Sequence, residues 1–194
     1  VFNMLSGANT DSILQKLNEE VAPKLASIQD AVYLNDKLYE RVKTIYSQKE
    51  GLNLDPESAR LLQYYHDAFV RAGADLSSAD KDKLRKLNEE EAGLGAKFAN
   101  LLLAAAKNGA LVVDSKDALK GLSDGAVSAA AQNAEAAGKA GKWLLSLQNT
   151  TQQPMLQTLE NRDTREKLFA ASWNRAEKGD ENDTQATITR IAVI

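Results

Sequence analysis

The chain contains no cysteine and only one histidine, His66, among its 194 residues. Without cysteine there are no disulfide bonds, no thiolate ligands for zinc and no cysteine nucleophile. A catalytic zinc ion needs three protein ligands and an open position for water, which one histidine does not supply. We interpret His66, which stands between Tyr65 and Asp67 on a predicted helix, as a packing or surface residue. No residue of this chain is therefore predicted to be catalytic, to ligate a metal or to bind a cofactor.

Other motifs that carry chemistry are also missing from the sequence. The pattern GxSxG occurs at Gly121–Gly125, but there Ser123 is the predicted cap of a helix and does not follow a strand directly, as a nucleophile elbow requires. A serine nucleophile would also have to use His66 as its base. Neither of the glycine-rich phosphate-binding patterns, GxxxxGK[ST] and GxGxxG, occurs. A twelve-residue calcium loop is absent as well. The sequence therefore lacks the common signatures of nucleotide binding and has no nucleophile elbow of a serine hydrolase.

Long apolar runs and an excess of positive charge are missing too. No apolar run approaches the ~18–20 residues that span a membrane. The net charge is −3 and the isoelectric point is about 5.3. Because nucleic acids and anionic membranes attract clusters of lysine and arginine, we predict neither as a partner. The lack of cysteine fits a reducing compartment, so we expect a cytoplasmic location and leave a periplasmic one open.

What is present is the pattern of a helical protein. Hydrophobic residues make up 43% and charged residues 26% of the chain, and its length fits one domain or two small ones. Apolar residues recur at helical spacing after the capping residues Asp11, Asn35, Asp55, Ser77 and Ser123. The predicted fold class is therefore mainly α, a bundle-like arrangement of several helices.

Two residues conflict with this helical pattern. Pro23 lies inside the first predicted helix, and because an interior proline costs about 3 kcal/mol we expect a kink or a break there. Glu91 occupies an apolar position of the longest helix, which begins at Ser77 and ends near Asn108. A buried carboxylate is costly unless it is paired. We expect the helix to rotate there or Glu91 to meet a cation, and the alternative is a charged wall that faces a cleft.

The helical period is interrupted in two short segments. Ala110–Asp114 and Lys142–Leu147 are rich in β-branched, leucine or aromatic residues and read as strands. Between them, Ser123 and Asp124 begin an alanine-rich helix that ends at Gly138. We predict that the two strands pair as a small two-stranded β element laid on the helices.

A run of uncharged polar residues follows the second strand. We predict that Asn149, Thr150, Thr151, Gln152 and Gln153 form a loop, and that a short helix begins at Pro154. Amide and hydroxyl groups can pair with the backbone of any peptide, whatever its sequence. These five residues are therefore the candidate substrate-channel loop. The alternative is a turn whose threonine or glutamine caps the helix after Pro154.

Two arginines follow this segment. Arg162 and Arg165 could bind the carboxylate at the C-terminus of a peptide in bidentate fashion. We expect them instead to pair with Glu160, Glu166 or other acids at the helix surface.

The order of several motifs resembles a known family. The matching residues in the most informative stretch are Gly141-Lys142, Asn149–Pro154, Arg162, Arg165-Glu166, Ala171-Ser172, Asn174-Arg175 and Asn182–Thr184. In these residues the chain resembles the N-terminal region of the peptidyl-dipeptidase, or dipeptidyl carboxypeptidase, branch of the thimet-oligopeptidase family of zinc metallopeptidases. The likeness continues along nearly the whole chain, in the same order, through Asn9–Asp11, Ala22–Leu25, Tyr33–Asn35, Phe69–Ala74, Leu87–Glu90, Ala110–Asp114 and Gly121–Asp124.

The resemblance implies a mostly helical N-terminal region that forms one wall of a deep, narrow substrate channel. Enzymes of the family do their chemistry in a C-terminal domain with HExxH on a helix, and this chain contains no HExxH. Zinc is thus expected in the parent enzyme and not in this chain, which is predicted to be inactive alone. The parent would release dipeptides from the C-terminus of short peptides. Its partners would be those peptides and the catalytic domain.

Both ends of the sequence read as cut. Val1–Leu5 is already apolar and has no initiator methionine, and Ile188–Ile194 is an apolar helical pattern without a stop signal. We therefore interpret residues 1–194 as one N-terminal helical region, truncated at both ends. An apolar face left without its catalytic domain would favour self-association. Two alternatives stay open, a stand-alone helical module that binds a partner protein and, within the family, an oligopeptidase that cleaves internally.

Overall fold

The computed structural model of the chain describes residues 2–194. Val1, the first residue of the predicted apolar start, lies outside the described residues. The mainly helical fold with a small two-stranded sheet is confirmed. In the described part of the chain the helices are α1 (Phe2–Ala8), α2 (Ser12–Tyr33), α3 (Asp36–Ser47), α4 (Pro56–Arg71), α5 (Ser78–Asn108), α6 (Asp124–Ala136), α7 (Asn149–Thr158), α8 (Arg162–Trp173) and α9 (Gln185–Val193), and the strands are β1 (Leu111–Val113) and β2 (Trp143–Leu145).

The chain divides into two compact units, Val1–Lys97 with Ile194 and Phe98–Val193, which we call the first and the second unit. Each unit has its own buried hydrophobic cluster. Within residues 2–194 no helix is both long enough and apolar enough to cross a membrane.

Predicted capping residues begin the helices of the first unit. The side chain of Asp11 accepts a hydrogen bond from the backbone of Leu14 at 2.8 Å, and Asn35 accepts one from Leu38 at 3.0 Å. Asp55 caps α4 in the same way, with Pro56 at the first helical position. These bonds satisfy N–H groups that a helix start leaves without partners, so the predicted helix starts are confirmed.

The core of the first unit lies between α3 and α4. Tyr39, Phe69 and Ala74 are buried there, and Tyr33 and Val42 pack against them. The rings of Tyr39 and Phe69 stack with 5.8 Å between their centroids. This core is small, which leaves much of the apolar surface of the unit outside it.

Of the two alternatives predicted at Pro23, a kink or a break, the structure excludes the break. α2 continues through Pro23 for 22 residues. Proline removes only one N–H donor from the helix, and packing against neighbouring elements can offset that loss. Gly93 of α5 lies beside Pro23, and a Cβ atom added there would make an ordinary van der Waals contact of 3.5 Å with Pro23 Cγ.

The longest helix, α5, has the predicted start and end. The backbone of Asp80 donates to Ser77 Oγ at 3.2 Å, and Gly109 N donates to the carbonyl of Ala105 at 2.9 Å. Glu91 is exposed, whereas Asn88 and Ala92 are half-buried. The apolar face therefore rotates away from Glu91, which agrees with the first of the two alternatives.

The second unit is built around the small sheet. Antiparallel pairing joins Leu111 to Leu145, Val112 to Leu144 and Val113 to Trp143, which confirms the predicted pair of strands. Seven buried residues form the core between this sheet and the helices around it: Leu119, Ala130, Leu145, Leu147, Met155, Leu159 and Leu168.

Glycine is required at one turn of this unit. Gly121 has a φ angle of +95°, and a Cβ atom there would lie 2.1 Å from the carbonyl oxygen of Thr158. The backbone of Glu160 donates to the carbonyl of Lys120 at 2.8 Å and joins the same two segments. The turn before α6 is thereby held against the end of α7.

Candidate functional site

The polar segment after β2 is a helix, so the prediction of a loop over Asn149–Gln153 is wrong. α7 begins at Asn149 and contains Pro154 in its interior. The sequence predicts Pro154 as the first helical residue, because proline is common at that position. The helix instead forms earlier, and the packing of Gln152, Met155 and Leu159 holds it. The lost donor at Pro154 removes only the bond that its N–H would give to the carbonyl of Thr150.

Helix formation separates the five candidate residues. Asn149, Thr150 and Gln153 are exposed, and Thr151 is half-buried. Gln152 faces the interior of the second unit, where it is 5% exposed. A peptide at the surface can therefore contact the side chains of Asn149, Thr150 and Gln153, but not that of Gln152.

Gln152 has an unusual environment. Its Oε1 atom is buried and has no hydrogen-bond partner among the described residues. A buried acceptor without a donor costs roughly 1–3 kcal/mol. The sequence pattern could not separate this side chain from its neighbours, because the helix register decides which of the five residues points inward.

The two arginines of α8 have different roles. Arg165 Nη1 donates to the carbonyl oxygens of Leu159 at 2.5 Å and Glu160 at 3.0 Å. The described contacts of Arg165 are thus two carbonyls near the end of α7, which accept from Nη1, and not the carboxylate that was expected. Arg162 is exposed and Arg165 is half-buried, so Arg162 is the more accessible cation for a ligand.

A shallow groove of about 340 Å³ lies beside Arg162. It is lined by Leu156 of α7 and by Arg162, Arg165, Glu166 and Phe169 of α8. The ring of Phe169 stacks on Trp173, with 5.6 Å between the centroids, and Trp173 is 75% exposed. Arginine and large aromatic side chains are enriched at binding hot spots. Sequence reasoning placed both aromatic residues on this helix but did not predict that they would be exposed.

His66 is a packing residue, as expected. Its ring stacks on Tyr46 with 3.7 Å between the centroids and an interplanar angle of 10°. Its Nδ1 atom lies 3.5 Å from Asp67 Oδ1. A metal site would need further ligands, and the described residues contain no group of three or more histidine, cysteine, aspartate or glutamate side chains placed to hold a metal ion.

A polar network lies next to this histidine. The Tyr39 hydroxyl donates to Asp75 Oδ2 at 2.8 Å, and Lys43 Nζ donates to Asp75 Oδ1 at 3.2 Å. Burial, together with the bond to Asp75, raises the pKa of Tyr39 to about 12. The hydrogen bond from Tyr39, and next the one from Lys43, lowers the pKa of Asp75 below its ordinary value. This network ties α3 to the turn after α4.

The motif at Asn182–Thr184, which carries part of the resemblance, is structural. Asp183 Oδ2 accepts from the backbone of Gly179 at 2.7 Å, and Asp183 Oδ1 accepts from the backbone of Gln185 at 2.8 Å. The backbone of Thr184 donates to the carbonyl of Ala176 at 2.9 Å. These bonds hold the backbone of the turn before α9, so the motif has a structural role.

The first unit carries an apolar groove that the sequence did not reveal. Its volume is about 470 Å³, and it lies among the end of α2, α3 and α4. Its most exposed lining residues are Leu61, Ile45, Tyr65 and Val32. A groove of this kind fits an apolar helix or side chain, and it lacks the charged groups that catalysis needs.

Similarity to known proteins extends over the whole chain. No family model matches it. Over 194 residues the chain is 46% identical to a dipeptidyl carboxypeptidase of Escherichia coli strain K12, and it spans 28% of that protein. The predicted resemblance is confirmed. A dipeptidyl carboxypeptidase of Salmonella typhimurium is also 46% identical over 194 residues, with 28% of its length covered.

More distant relatives have related names. Over 190 residues the chain is 26% identical to a probable cytosolic oligopeptidase A of Arabidopsis thaliana, of which it spans 27%. The chain thus covers about a quarter of the length of the relatives it matches. This extent is consistent with the N-terminal region of a peptidase of the thimet-oligopeptidase family.

Proposed function

We propose that this chain is the non-catalytic N-terminal part of a zinc metallopeptidase that releases C-terminal dipeptides from short peptides. The observation that supports this most strongly is the 46% identity over all 194 residues to a protein named dipeptidyl carboxypeptidase. The chain spans 28% of that relative. The relative therefore has ample further length in which a catalytic site can lie.

The residues of this chain do not fit a zinc ion. A catalytic zinc site needs three protein ligands. His66 stacks on Tyr46 and approaches one carboxylate, that of Asp67. We therefore assign no step of peptide cleavage to this chain and propose that it is inactive alone.

The role that we propose for the chain is to form one wall of the substrate channel. Asn149, Thr150 and Gln153 present amide and hydroxyl groups on the exposed side of α7. Such groups can donate to and accept from a peptide backbone without selecting a sequence. Arg162, at the groove beside α8, adds a cation that can bind a terminal carboxylate.

A chimeric enzyme tests this function. The matched quarter of the Escherichia coli dipeptidyl carboxypeptidase is replaced by this chain, and an N-terminally acetylated pentapeptide is the substrate. We expect mass spectrometry to show release of C-terminal dipeptides by the chimera and no cleavage by the isolated chain. Cleavage by the purified, zinc-loaded chain would contradict the proposed division of labour.

Variants of the chimera test the channel wall separately. Asn149→Ala and Gln153→Ala should each raise KM about 2- to 10-fold, the range expected for one lost hydrogen bond. Gln132→Ala is the control, because Gln132 is an exposed amide of a different helix, α6. If all three variants have the KM of the unmodified chimera, this side of α7 does not contact substrate.

A second candidate is an oligopeptidase that cleaves internal bonds, which the similarity to the Arabidopsis oligopeptidase A favours. Longer N-terminally blocked peptides distinguish the two activities. Dipeptidyl release yields dipeptides and a ladder shortened by two residues at a time, whereas internal cleavage yields larger C-terminal fragments from the first turnover.

A further inference from the structure

The helix α2 turns its polar side toward the rest of the first unit. Asp30 is buried and accepts a hydrogen bond from Asn88 Nδ2 of α5 at 2.8 Å. Pro23, on the same side, lies next to Gly93 of α5. An amphipathic helix of a globular protein usually buries its apolar side instead.

The opposite side of α2 is apolar and largely exposed. Leu17 is 40%, Leu25 45%, Ile28 63% and Val32 45% exposed. Leu14 and Val21, on the same side, are half-buried. We call these six residues the α2 stripe: Leu14, Leu17, Val21, Leu25, Ile28 and Val32. They fall within about 80° of one another at 100° per residue, and they extend over about 27 Å of helix. Apolar surface of this length is an interaction surface by default.

The steps between successive residues of the α2 stripe are nearly the same in both directions along the helix. The steps between its six residues are 3, 4, 4, 3 and 4 residues, as the sequence shows. Two copies of α2 that lie antiparallel therefore place apolar residues at matching levels. A two-fold axis near Ala22 and Pro23 would relate the two copies. Leu14 of one copy then lies at the same height along the helix pair as Val32 of the second copy, Leu17 at the height of Ile28, and Val21 at the height of Leu25.

The charges beside the α2 stripe match the same arrangement. Glu20 and Lys24 are exposed and lie on one flank of the stripe. In an antiparallel pair with this axis the same flanks of both copies meet, so Glu20 of each copy lies opposite Lys24 of the other. Ile13 and Ala31, exposed on that flank, also lie opposite each other. The other flank carries Asn18, Ala22 and Gln29, none of which is charged.

We propose that the α2 stripe binds a second copy of this chain through antiparallel packing of α2 against α2. This proposal does not depend on the proposed peptidase function. A two-helix interface is small compared with the standard protein interface of ~1,600 Å². We therefore expect a reversible dimer with a dissociation constant on the order of 10–100 µM.

Sedimentation equilibrium of the 194-residue chain from about 1 to about 500 µM tests the proposal. We expect a concentration-dependent monomer–dimer equilibrium. Ile28→Glu should weaken it at least about 30-fold, because it puts a charge into the apolar interface of each copy. Leu103→Glu is the matched control, since Leu103 is a 46% exposed leucine of α5 and its replacement should leave the dimer intact. A monomer at every concentration, or a dimer that Ile28→Glu leaves unchanged, would overturn the proposal.

A charge exchange tests the flank pairs. Glu20→Lys should weaken the dimer roughly 2- to 30-fold, because two ion pairs are lost and like charges then face each other. The double variant Glu20→Lys, Lys24→Glu should restore the dissociation constant to within about twofold. Failure of the double variant to recover would exclude the proposed register, even if a dimer forms.

Cross-linking decides the orientation, and the absence of cysteine from the chain makes the experiment clean. Ile13→Cys and Ala31→Cys chains are mixed and oxidised. Antiparallel packing predicts that the mixed disulfide between the two variants dominates, because residues 13 and 31 lie opposite each other. Preferential cross-linking of each variant to itself would show parallel packing and contradict the proposal. A disulfide formed equally by Leu103→Cys, the control position, would show random collision and would also contradict it.

Discussion

Asp30 Oδ1 of α2 accepts a hydrogen bond from Asn88 Nδ2 of α5 at 2.8 Å, in a place where the carboxylate is only 7% exposed. The other oxygen, Asp30 Oδ2, has no hydrogen-bond partner among the described residues. The bond to Asn88 is thus the side-chain contact that the structure gives this carboxylate. The bond lies on the side of α2 that is opposite the α2 stripe.

Removal of the donor should destabilise the first unit. We expect Asn88→Ala to lower the free energy of unfolding by about 1–3 kcal/mol, because it leaves a buried carboxylate oxygen without its partner. Urea denaturation followed by circular dichroism measures the change. Glu89→Ala, at the neighbouring exposed position, should change stability by no more than about 0.5 kcal/mol. Equal effects of the two variants would show that the Asp30–Asn88 bond contributes little.

Two glycine-to-alanine substitutions should change the stability of the fold in opposite directions. At Gly95, in the interior of α5, a Cβ atom meets nothing within 4 Å, so Gly95→Ala should stabilise the fold by about 0.4–1 kcal/mol. At Gly121 the Cβ atom would lie 2.1 Å from Thr158 O at a φ angle of +95°. We therefore expect Gly121→Ala to lower the stability by more than about 1 kcal/mol. Thermal unfolding of both variants checks the pair, and a stabilised Gly121→Ala chain would contradict the described turn.

The Tyr39–Asp75 bond should make stability depend on pH at both ends of the scale. The pKa of Asp75 is lowered below 3.8, so its bonds stabilise the fold above about pH 4 and are lost as the pH falls through the lowered pKa. The pKa of Tyr39 is raised from 10.0 to about 12, so its contribution is complete below pH 10 and is lost as the pH rises toward 12.

Replacement of the tyrosine tests both directions of this dependence. As the pH rises from 10 to 12, the free energy of unfolding should fall less in the Tyr39→Phe chain than in the unmodified chain. It should also fall less in the variant as the pH drops below 4. Urea midpoints across this range give the result. Tyr64→Phe, which removes a hydroxyl from a 58% exposed ring, should not change the profile. An unchanged profile for Tyr39→Phe would show that the network does not couple to folding.

Gln152 should tolerate an apolar replacement. Its Oε1 is buried without a partner, so Gln152→Met removes an unsatisfied acceptor while keeping a similar shape. We expect the free energy of unfolding to stay the same or rise by about 1 kcal/mol. Leu168→Ala, in the core of the same unit, should instead cost about 2–5 kcal/mol. A Gln152→Met chain that is as unstable as Leu168→Ala would mean that the amide makes essential hydrogen bonds.

Local signals in the sequence were sufficient to place most helix starts. Asp11, Asn35, Asp55 and Ser123 each accept the backbone hydrogen bond that their position predicted. These bonds join residues two or three apart, so the information lies within a few residues of the chain. The two strands were predictable for a similar reason, since β-branched and aromatic residues mark them.

The errors arose where distant residues decide the outcome. Pro23 and Pro154 both lie inside continuous helices, because packing outweighs one missing N–H group. Gln152 is buried and Gln153 is exposed through the register of α7, which no local signal gives. Likewise, the sequence shows that α2 has an apolar side. The helical period alone does not show whether that side packs inside the same unit or is exposed.

The candidate site was predictable only as a segment of the chain. The sequence placed the polar run Asn149–Gln153 and the arginines Arg162 and Arg165 near each other, and the structure brings α7 and α8 together. It is the helix register that selects Asn149, Thr150 and Gln153 for the surface, and the carbonyls at the end of α7 that occupy Arg165. Arg162 and the neighbouring pair Phe169 and Trp173 are left accessible.

The proposed function requires catalytic residues in a part of a longer protein that follows this chain. Reading the gene downstream of the codon for Ile194 tests this requirement most directly. We expect an open frame that encodes HExxH followed by a further glutamate ligand. A stop codon shortly after Ile194 would contradict it and would leave a helical protein that acts through its surfaces alone.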